Sequence, residues 1–433
     1  MKLETIKTYT LIILVGISFI FTFSLWNYQP KGEHLASDFV SEADFNLGGT
    51  ERSKKELIAP SSIIFEKYNH FYSFSDPSEK NALYEDIQSW NLFDYRETEA
   101  DGRPNDNHQV EIIYPLELPM NIVPSLFTVN DGVDEMPSWS FQRVFITYEN
   151  NRNLTLQFLS IDGRQQVKFT VNNTAKHELI WDYNLNLEGL DEYIEFDGSD
   201  NPIYIPQDEV AINEQTLIYQ RVEPELMVNA LFNNPKEVIL NQRGNESFYQ
   251  DGIRTMAVSE NKRMMEYTNP QEPSPDIVTP MELVENSISH LNQYKGWIND
   301  YQLESIDTKE NKLRYQMHYN NYPVFDMDDL DIIEQQWRDN ELFQYKTSLI
   351  SIARDSYTSE LMIESGKDIS AILKNSSEID TGKVLDIRVG YEFIDTSDGN
   401  ADKLTLKPAW FMNYEGSWRK INVDEITHNK GVS

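Results

Sequence analysis

The amino-acid sequence predicts an α+β protein: a single N-terminal transmembrane helix, then an N-terminal extracellular domain and two α+β domains with antiparallel sheets. Three observations predict this class. One uninterrupted apolar run lies near the first residue, short β-rich segments separated by turn residues dominate the remainder, and capped amphipathic helices stand between groups of these segments. Helices that separate groups of hairpin-like strands are typical of antiparallel sheets with helices on one face.

Composition excludes several classes of protein. The 433 residues contain 37 Lys and Arg against 71 Asp and Glu, a formal net charge of −34. This balance argues against binding to nucleic acid, which requires clustered basic residues. There is no cysteine, which rules out disulfide scaffolds, cysteine nucleophiles and Cys-ligated metal sites. Hydrophobic residues make up 39% of the chain, enough to build folded cores, and the length suggests about three folding units of ~150 residues.

The apolar run extends from Thr8 to Trp26 and contains no charged or amide side chain. As a helix it would be about 28 Å long, close to the ~30 Å thickness of a bilayer's hydrocarbon core. Tyr9 lies at one end and Trp26 and Tyr28 at the other, where interfacial aromatic residues are favoured. The sequence therefore predicts a transmembrane helix over residues 8–27.

Basic residues predict the orientation of this helix. Lys2 and Lys7 precede it, whereas a single Lys31 and then several acidic residues follow it. The positive-inside rule makes residues 1–7 a cytoplasmic tip and places the bulk of the chain outside the cell. A cleaved signal peptide is the alternative, but it usually has a shorter apolar region followed closely by a small-x-small site. We therefore expect a single-pass protein of the cell membrane.

One face of the predicted membrane helix carries small and polar residues. Ser18, Thr22 and Trp26 are spaced four apart, and Gly16 is a further point of close approach. Such residues let membrane helices approach each other and form hydrogen bonds. Gly16, Ser18, Thr22 and Trp26 are therefore the candidate interaction residues. In the alternative interpretation, the Ser and Thr hydroxyls form hydrogen bonds only with the backbone of their own helix.

The part of the chain after the membrane helix divides into segments by composition. The predicted segments are a juxtamembrane stalk (28–60), an N-terminal extracellular domain (61–136), a middle mostly-β domain (137–269), a Pro-rich linker (270–276) and a C-terminal α+β domain (277–433). The linker holds three Pro residues close together, which disfavours regular structure.

In the first domain, a helix is predicted to begin after Asp76, with Pro77 at its first position and Leu83, Ile87 and Trp90 on one face. In the middle domain, β-rich runs around turns predict a meander, followed by an acidic solvated loop and a short helix. These middle elements are strands at 143–148, 154–159 and 166–171, the loop at 188–200, the helix at 224–231 and a hairpin over 247–267.

The C-terminal domain shows helix-then-strands order twice, which predicts a structural repeat. Thr279 and Glu282 predict a capped first helix. The remaining predicted elements are hairpins of 301–307 with 312–319 and of 332–337 with 342–349, a second helix at 358–373, and strands at 384–393, 403–412 and 417–423.

No catalytic, cofactor-binding or metal-binding motif is recognisable. The sequence lacks a P-loop, a dinucleotide fingerprint, a Gly-x-Ser-x-Gly elbow and a His-Glu-x-x-His motif, and its seven histidines are scattered singly. Asp395 to Asp402 is similar to a calcium loop, but an EF-hand needs Gly where Asn400 stands and Glu where Leu406 stands. We expect a polar hairpin loop there, no cofactor and no enzymatic activity.

Several short motifs resemble the YycH family. They are Glu4-Thr5-Ile6-Lys7, Leu25-Trp26-Asn27-Tyr28-Gln29-Pro30, Phe248-Tyr249-Gln250-Asp251-Gly252-Ile253-Arg254, Met265-Glu266-Tyr267-Thr268-Asn269-Pro270 and Lys407-Pro408-Ala409-Trp410-Phe411. The resemblance extends from end to end in order, length and topology.

This resemblance implies a membrane-anchored, extracytoplasmic accessory protein of low-GC Gram-positive bacteria. Such proteins act with a related protein, YycI, on the WalK (YycG) sensor histidine kinase, which controls cell-wall metabolism through the response regulator WalR. The family fold has an N-terminal domain and two α+β domains, and contacts within the membrane are implicated in regulation. No catalytic residues are defined for the family. Two alternatives stay open: a surface-anchored binding module for wall polymer or calcium, and an anchored hydrolase with a carboxylate pair.

Overall fold

The computed structural model describes residues 7, 14–19, 33–34, 46–130, 135–149, 152–197, 201–259, 263–270, 278–397 and 401–423. Within these ranges the chain is an α+β protein with two mixed β-sheets, one of ten strands and one of fifteen. Buried apolar side chains from both sheets belong to one continuous cluster.

The elements up to residue 206 are, in chain order, β1 (Glu33–His34), α1 (Lys54–Leu57), β2 (Ser62–Lys67), β3 (His70–Phe74), α2 (Pro77–Gln88), β4 (Asn91–Glu99), β5 (His108–Pro119), a 3₁₀ turn (Met120–Ile122), α3 (Val123–Leu126), β6 (Thr128–Val129), β7 (Ser140–Tyr148), β8 (Leu154–Ser160), β9 (Gln165–Val171), α4 (Thr174–Asn186), β10 (Leu190–Phe196) and β11 (Ile203–Pro206).

The remaining elements are β12 (Val210–Arg221), α5 (Pro224–Leu231), a 3₁₀ turn (Pro235–Glu237), β13 (Ile239–Arg243), β14 (Glu246–Gln250), β15 (Thr255–Val258), β16 (Met264–Thr268), α6 (Pro280–Gln293), β17 (Asp300–Asp307), β18 (Lys312–Tyr319), β19 (Tyr322–Phe325), β20 (Ile332–Arg338), β21 (Glu341–Ser348), β22 (Ile350–Ile363), α7 (Gly366–Asn375), a 3₁₀ turn (Thr381–Lys383), β23 (Val384–Asp395), β24 (Lys403–Tyr414) and β25 (Ser417–Lys420).

The first sheet has the strand order β11-β10-β3-β2-β5-β7-β8-β9-β4-β6. Its centre is the predicted meander, in which Phe145 of β7 faces Gln157 of β8 and Gln157 faces Lys168 of β9. Helix α2 has the predicted Asp76 cap, whose side chain accepts from the Ser78 amide, and buries Leu83 and Ile87. The apolar period of 3.6 residues predicts the helix correctly, although Trp90, placed on the same face, is buried just beyond its end.

The second sheet has the strand order β1-β13-β14-β15-β16-β21-β20-β18-β19-β23-β24-β12-β22, with β17 beside β18 and β25 beside β24. Strand β19 joins its two parts, because it pairs antiparallel with β18 and parallel with β23. Helix α6 has the predicted capping box between Thr279 and Glu282, and α5 has the predicted limits. The hairpins β17–β18 and β20–β21 are also confirmed.

Strand pairing groups the chain differently from the domain limits predicted above. Strand β7, which follows residue 136, pairs with β5, and β12 of the predicted middle domain pairs with β22 and β24. The change from the first sheet to the second falls between β11 and β12, at residues 207–209. The Pro-rich segment lies largely outside the described residues, which resume at Val278.

Part of the predicted juxtamembrane stalk is packed against the folded chain. Leu57 and Ile58 are buried, and the Leu47 amide donates to the Tyr294 carbonyl at 3.0 Å. Thr50 forms an isolated bridge with Trp297. The isolated apolar residues of this polar segment are too few to produce a periodic pattern, which is why composition indicated a stalk.

Three predicted elements differ from the structure. The acidic segment 188–200 is not a solvated loop, because β10 pairs with β3 and β11 and Phe196 is buried. The predicted helix at 358–373 is strand up to Ile363, and helix α7 begins only after Ser365, whose side chain caps it. The predicted hairpin over 247–267 is the three-stranded meander β14–β15–β16. In the first two cases long-range pairing overrides local composition.

The described part of the predicted membrane segment, residues 14–19, is helical. Among the residues that the structure describes, no helix is both long enough and apolar enough to cross a membrane. The remainder of the predicted helix at 8–27 lies outside those residues.

Candidate functional site

The four candidate interaction residues are only partly described. Gly16 and Ser18 lie in the helical segment 14–19, whereas Thr22 and Trp26 lie outside the described residues. A Cβ atom added at Gly16 would meet nothing within 4 Å. The interaction face itself stays a prediction.

A cavity of about 230 Å³ opens between the first sheet and the second. Both sheets and helix α2 supply its lining, so the cavity exists only where the two parts of the chain meet. Near it, the Asn81 side-chain amide of α2 donates to the Asn321 oxygen at 2.8 Å, linking the two parts directly. The polar and charged lining residues used below are Lys80, Asp191, Glu192, Asp208, Glu209, Glu304, His318 and Arg388.

Lys80 projects from the first turn of α2, where the Asp76 cap and Pro77 begin the helix. Its Nζ donates to the carbonyl oxygens of Pro60 at 2.9 Å and Ser61 at 3.3 Å. Burial lowers the pKa of Lys80 to about 8, and the charge of Arg388 acts in the same direction. Among the described residues no carboxylate pairs with this ammonium, and these two carbonyls leave one of its three N–H donors without an acceptor there.

His318 of β18 is only 8% exposed. Its Nδ1 lies 3.1 Å from the Gln316 carbonyl oxygen, and because a carbonyl can only accept, Nδ1 carries the proton. Burial lowers the pKa of His318 to about 3, and Lys80 and Arg388 act in the same direction. The ring is therefore neutral near pH 7, with a lone pair on Nε2. Within the described ranges this nitrogen has no hydrogen-bond partner.

Arg388 of β23 forms ion pairs with two carboxylates of the same chain. It contacts the Glu304 carboxylate at 3.1 Å and the Asp386 carboxylate at 2.7 Å, and its guanidinium lies 4.7 Å from the Trp418 ring centre. The Trp418 indole N–H donates to Glu304 at 3.1 Å. Burial raises the pKa of Glu304, whereas Arg388 opposes that shift. This group stabilises one wall of the cavity and leaves Lys80 as the cation with no counter-ion.

Carboxylates also line the cavity. Glu192 accepts a hydrogen bond from Gln207 at 2.9 Å, and Asp208 pairs with Lys367 at 3.7 Å. Asp191 and Glu209 line the cavity without an ion pair to any described residue. One cavity thus holds an ammonium and carboxylates that do not pair with each other.

No group of three or more His, Asp or Glu residues suited to a metal ion occurs in the described ranges. In the calcium-like loop, Asp395 pairs with Arg263 and Asp402 pairs with Arg221, while residues 398–400 lie outside the described chain.

Sequence reasoning did not single out Lys80 or Arg388, and it treated His318 as one of several scattered histidines. These residues are far apart in the chain and belong to α2, β18 and β23. No local spacing connects them, because the pairing of β19 with β18 and β23 is what brings their strands together.

Comparison with known proteins identifies the family. Residues 4–188 match the family described as "YycH protein, N-terminal domain" and residues 200–428 match "YycH protein, C-terminal domain". The chain is 22% identical over 461 residues to the "Two-component system WalR/WalK regulatory protein YycH" of Bacillus subtilis (strain 168), with 100% of each chain covered.

The fold comparison agrees with the sequence comparison. The structure is similar to the crystal structure of YycH from Bacillus subtilis, with a TM-score of 0.72 at 18% identity, covering 88% of this chain and 100% of that one. The N-terminal match ends at residue 188 and the C-terminal match begins at residue 200, close to the change of sheet at 207–209. The resemblance found in the sequence is confirmed, and the chain belongs to the YycH family.

Proposed function

We propose that this chain is a non-enzymatic regulatory protein of a two-component system, and that it regulates a sensor histidine kinase of the WalK (YycG) type controlling cell-wall metabolism. The observation that carries the proposal is end-to-end similarity to a protein named as a WalR/WalK regulator, with 100% of both chains covered. Matches to both family domains support it independently.

The proposal includes a membrane anchor at residues 8–27, a cytoplasmic N-terminus, an extracytoplasmic bulk and a YycI-like partner. The charge-free apolar run and the basic residues before it support the anchor. A bound helix alters the kinase only if it binds one kinase state more tightly than the other. The sign of regulation therefore depends on contacts that differ between these states, and the Ser18–Thr22 face is the candidate for those contacts.

Two helix replacements test the membrane contact. In the first, an unrelated membrane helix replaces residues 8–26. In the second, the same helix carries Gly16, Ser18, Thr22 and Trp26 at their original positions. We expect the first chimera to lose regulation of a response-regulator reporter and the second to recover it, with equal amounts of both proteins in the membrane. Equal regulation by both chimeras would remove these four residues from the mechanism.

Co-purification tests the partners. The full-length chain should retain the sensor kinase and the YycI-like protein from solubilised membranes, and a chain that begins at residue 28 and carries an export signal should retain less kinase. Failure of the full-length chain to retain the kinase would contradict the proposed function itself.

A further inference from the structure

We propose that the cavity between the two sheets binds a small zwitterionic ligand of the amino-acid or short-peptide class. The ligand's carboxylate would accept from Lys80, a ligand N–H would donate to Nε2 of His318, and its ammonium group would face Asp191 and Glu209. This inference goes beyond the proposed function and does not depend on it.

Lys80 is a cation without a counter-ion among the described residues. Lys80 satisfies two donors with the Pro60 and Ser61 carbonyls, but those neutral oxygens do not compensate its charge. Lys80 is partly shielded from water, and no carboxylate of the described residues offsets its charge. Because Arg388 is occupied by Glu304 and Asp386, a ligand carboxylate would find its counter-ion at Lys80.

His318 presents a hydrogen-bond acceptor, Nε2, that no described residue contacts. The His318 side chain is more than nine-tenths buried and lines the cavity. Its Nδ1–H already donates a hydrogen bond to the Gln316 carbonyl oxygen. No donor of the described residues reaches Nε2, so a molecule in the cavity can supply one. A simple anion brings more lone pairs to Nε2 and cannot satisfy it, whereas an amide or ammonium N–H can. A ligand that carries both an N–H donor and a carboxylate would therefore match Nε2 and Lys80 together.

The cavity also holds charges of opposite sign that do not pair with each other. Asp191 and Glu209 line it together with Lys80, yet no ion pair joins them among the described residues. A ligand with a cationic and an anionic end is complementary to that arrangement. The volume of about 230 Å³ lies below the about 300–1,000 Å³ of pockets for drug-sized ligands, which limits the ligand to about the size of a dipeptide.

Calorimetric titration of the full-length chain tests the proposal, with L-alanyl-L-alanine as the probe. We expect saturable binding of this dipeptide. N-acetyl-L-alanyl-L-alanine, which lacks the ammonium, and L-alanyl-L-alaninamide, which lacks the carboxylate, should each bind at least about tenfold more weakly, since a charged hydrogen bond contributes on that order. Absence of saturable binding, equal binding of the blocked peptides, or equally tight binding of inorganic phosphate would overturn the proposal.

Variants locate the binding. Lys80→Met and His318→Leu should abolish it, and Asp191→Asn, at an exposed position on the cavity wall, should weaken it by about tenfold. Lys168→Met is the matched control, because Lys168 lies in β9 and does not line the cavity. Thermal unfolding of each variant separates loss of binding from loss of fold. A folded Asp191→Asn protein that binds the dipeptide as tightly as the parent chain would contradict the assignment.

Discussion

Glu111 shows how much a single buried charge can contribute to stability. Its side chain is 2% exposed and is held between the guanidinium groups of Arg103 and Arg143. Tyr204 also donates to it at 3.2 Å. We expect Glu111→Gln to lower the free energy of unfolding by about 3 kcal/mol, because it leaves two arginines without their shared counter-ion. Urea unfolding of the parent and variant chains measures this loss.

A surface pair provides the control for that prediction. Glu415 bonds to Lys383 at 2.6 Å, but both side chains are about half exposed, at 52% and 48%. Glu415→Gln should therefore change the free energy of unfolding by about 0–1 kcal/mol. Similar losses in the two variants would show that burial does not set the contribution of Glu111.

The buried carboxyl group of Asp331 should make the free energy of unfolding depend on pH. Burial raises the pKa of Asp331 from 3.8 to about 7, and the Gln316 side chain donates to it at 2.7 Å. Between these two values the folded chain keeps a proton that the unfolded chain has lost. The contribution of Asp331 to stability therefore falls as the pH rises from about 4 to about 7 and is constant above that range.

The Asp331→Asn variant isolates this effect, because asparagine does not titrate. We expect its free energy of unfolding to increase relative to that of the parent chain as the pH rises through the same window. His290, whose pKa burial lowers to about 4, has the opposite effect but is present in both chains and cancels in the difference. A difference that does not change with pH in urea unfolding would show that Asp331 ionises normally in the folded protein.

At the scale of elements, helix α7 packs closely against strand β11 at Gly366. A Cβ atom on Gly366 would lie 2.0 Å from the Pro206 carbonyl oxygen and 3.0 Å from the Ile205 side chain. Because that oxygen belongs to the backbone at the end of β11, it cannot move without shifting the strand. Gly366→Ala should destabilise the protein by about 1–3 kcal/mol, measured by thermal or urea unfolding.

The next residue of the same helix is the control. Lys367 is exposed and pairs with Asp208 at 3.7 Å, so Lys367→Ala should change stability by less than about 0.5 kcal/mol. If the two substitutions had equal effects, the approach of α7 to β11 would not limit the packing of the first sheet against the second part of the chain.

Helices whose first residues form a capping motif could be predicted from the sequence. The Asp76 cap and the Thr279 capping box both begin helices where expected. The acidic segment 188–200 was misassigned because its carboxylates alternate with Leu190, Ile194 and Phe196, which pack on the core. The many carboxylates of this segment made the alternation of apolar residues difficult to recognise in the sequence. The cavity could not be predicted at all, because Lys80, His318 and Arg388 become neighbours only through long-range strand pairing and the contact of α2 with the second sheet.

At the scale of the whole molecule, β12 determines where the chain can be divided. It pairs with β22 along its full length and with β24 over Gln215–Ile218. It also buries Leu217 and Tyr219. A fragment of residues 277–433, which begins after the predicted Pro-rich linker, lacks β12 and also β16, the partner of β21. Removing these strands exposes two long edges of unpaired backbone groups.

We therefore expect residues 207–433 to unfold cooperatively in urea, and residues 277–433 to aggregate or to show no sharp transition. Both fragments lack β1 and the Thr50 bridge to Trp297, so the comparison isolates the segment from β12 to β16. Residues 223–433, which lack β12 but retain β13 to β16, should be intermediate, since one central strand is missing. If residues 277–433 folded as sharply as residues 207–433, the predicted limit at 270–276 would be an independent folding boundary despite the pairing that crosses it.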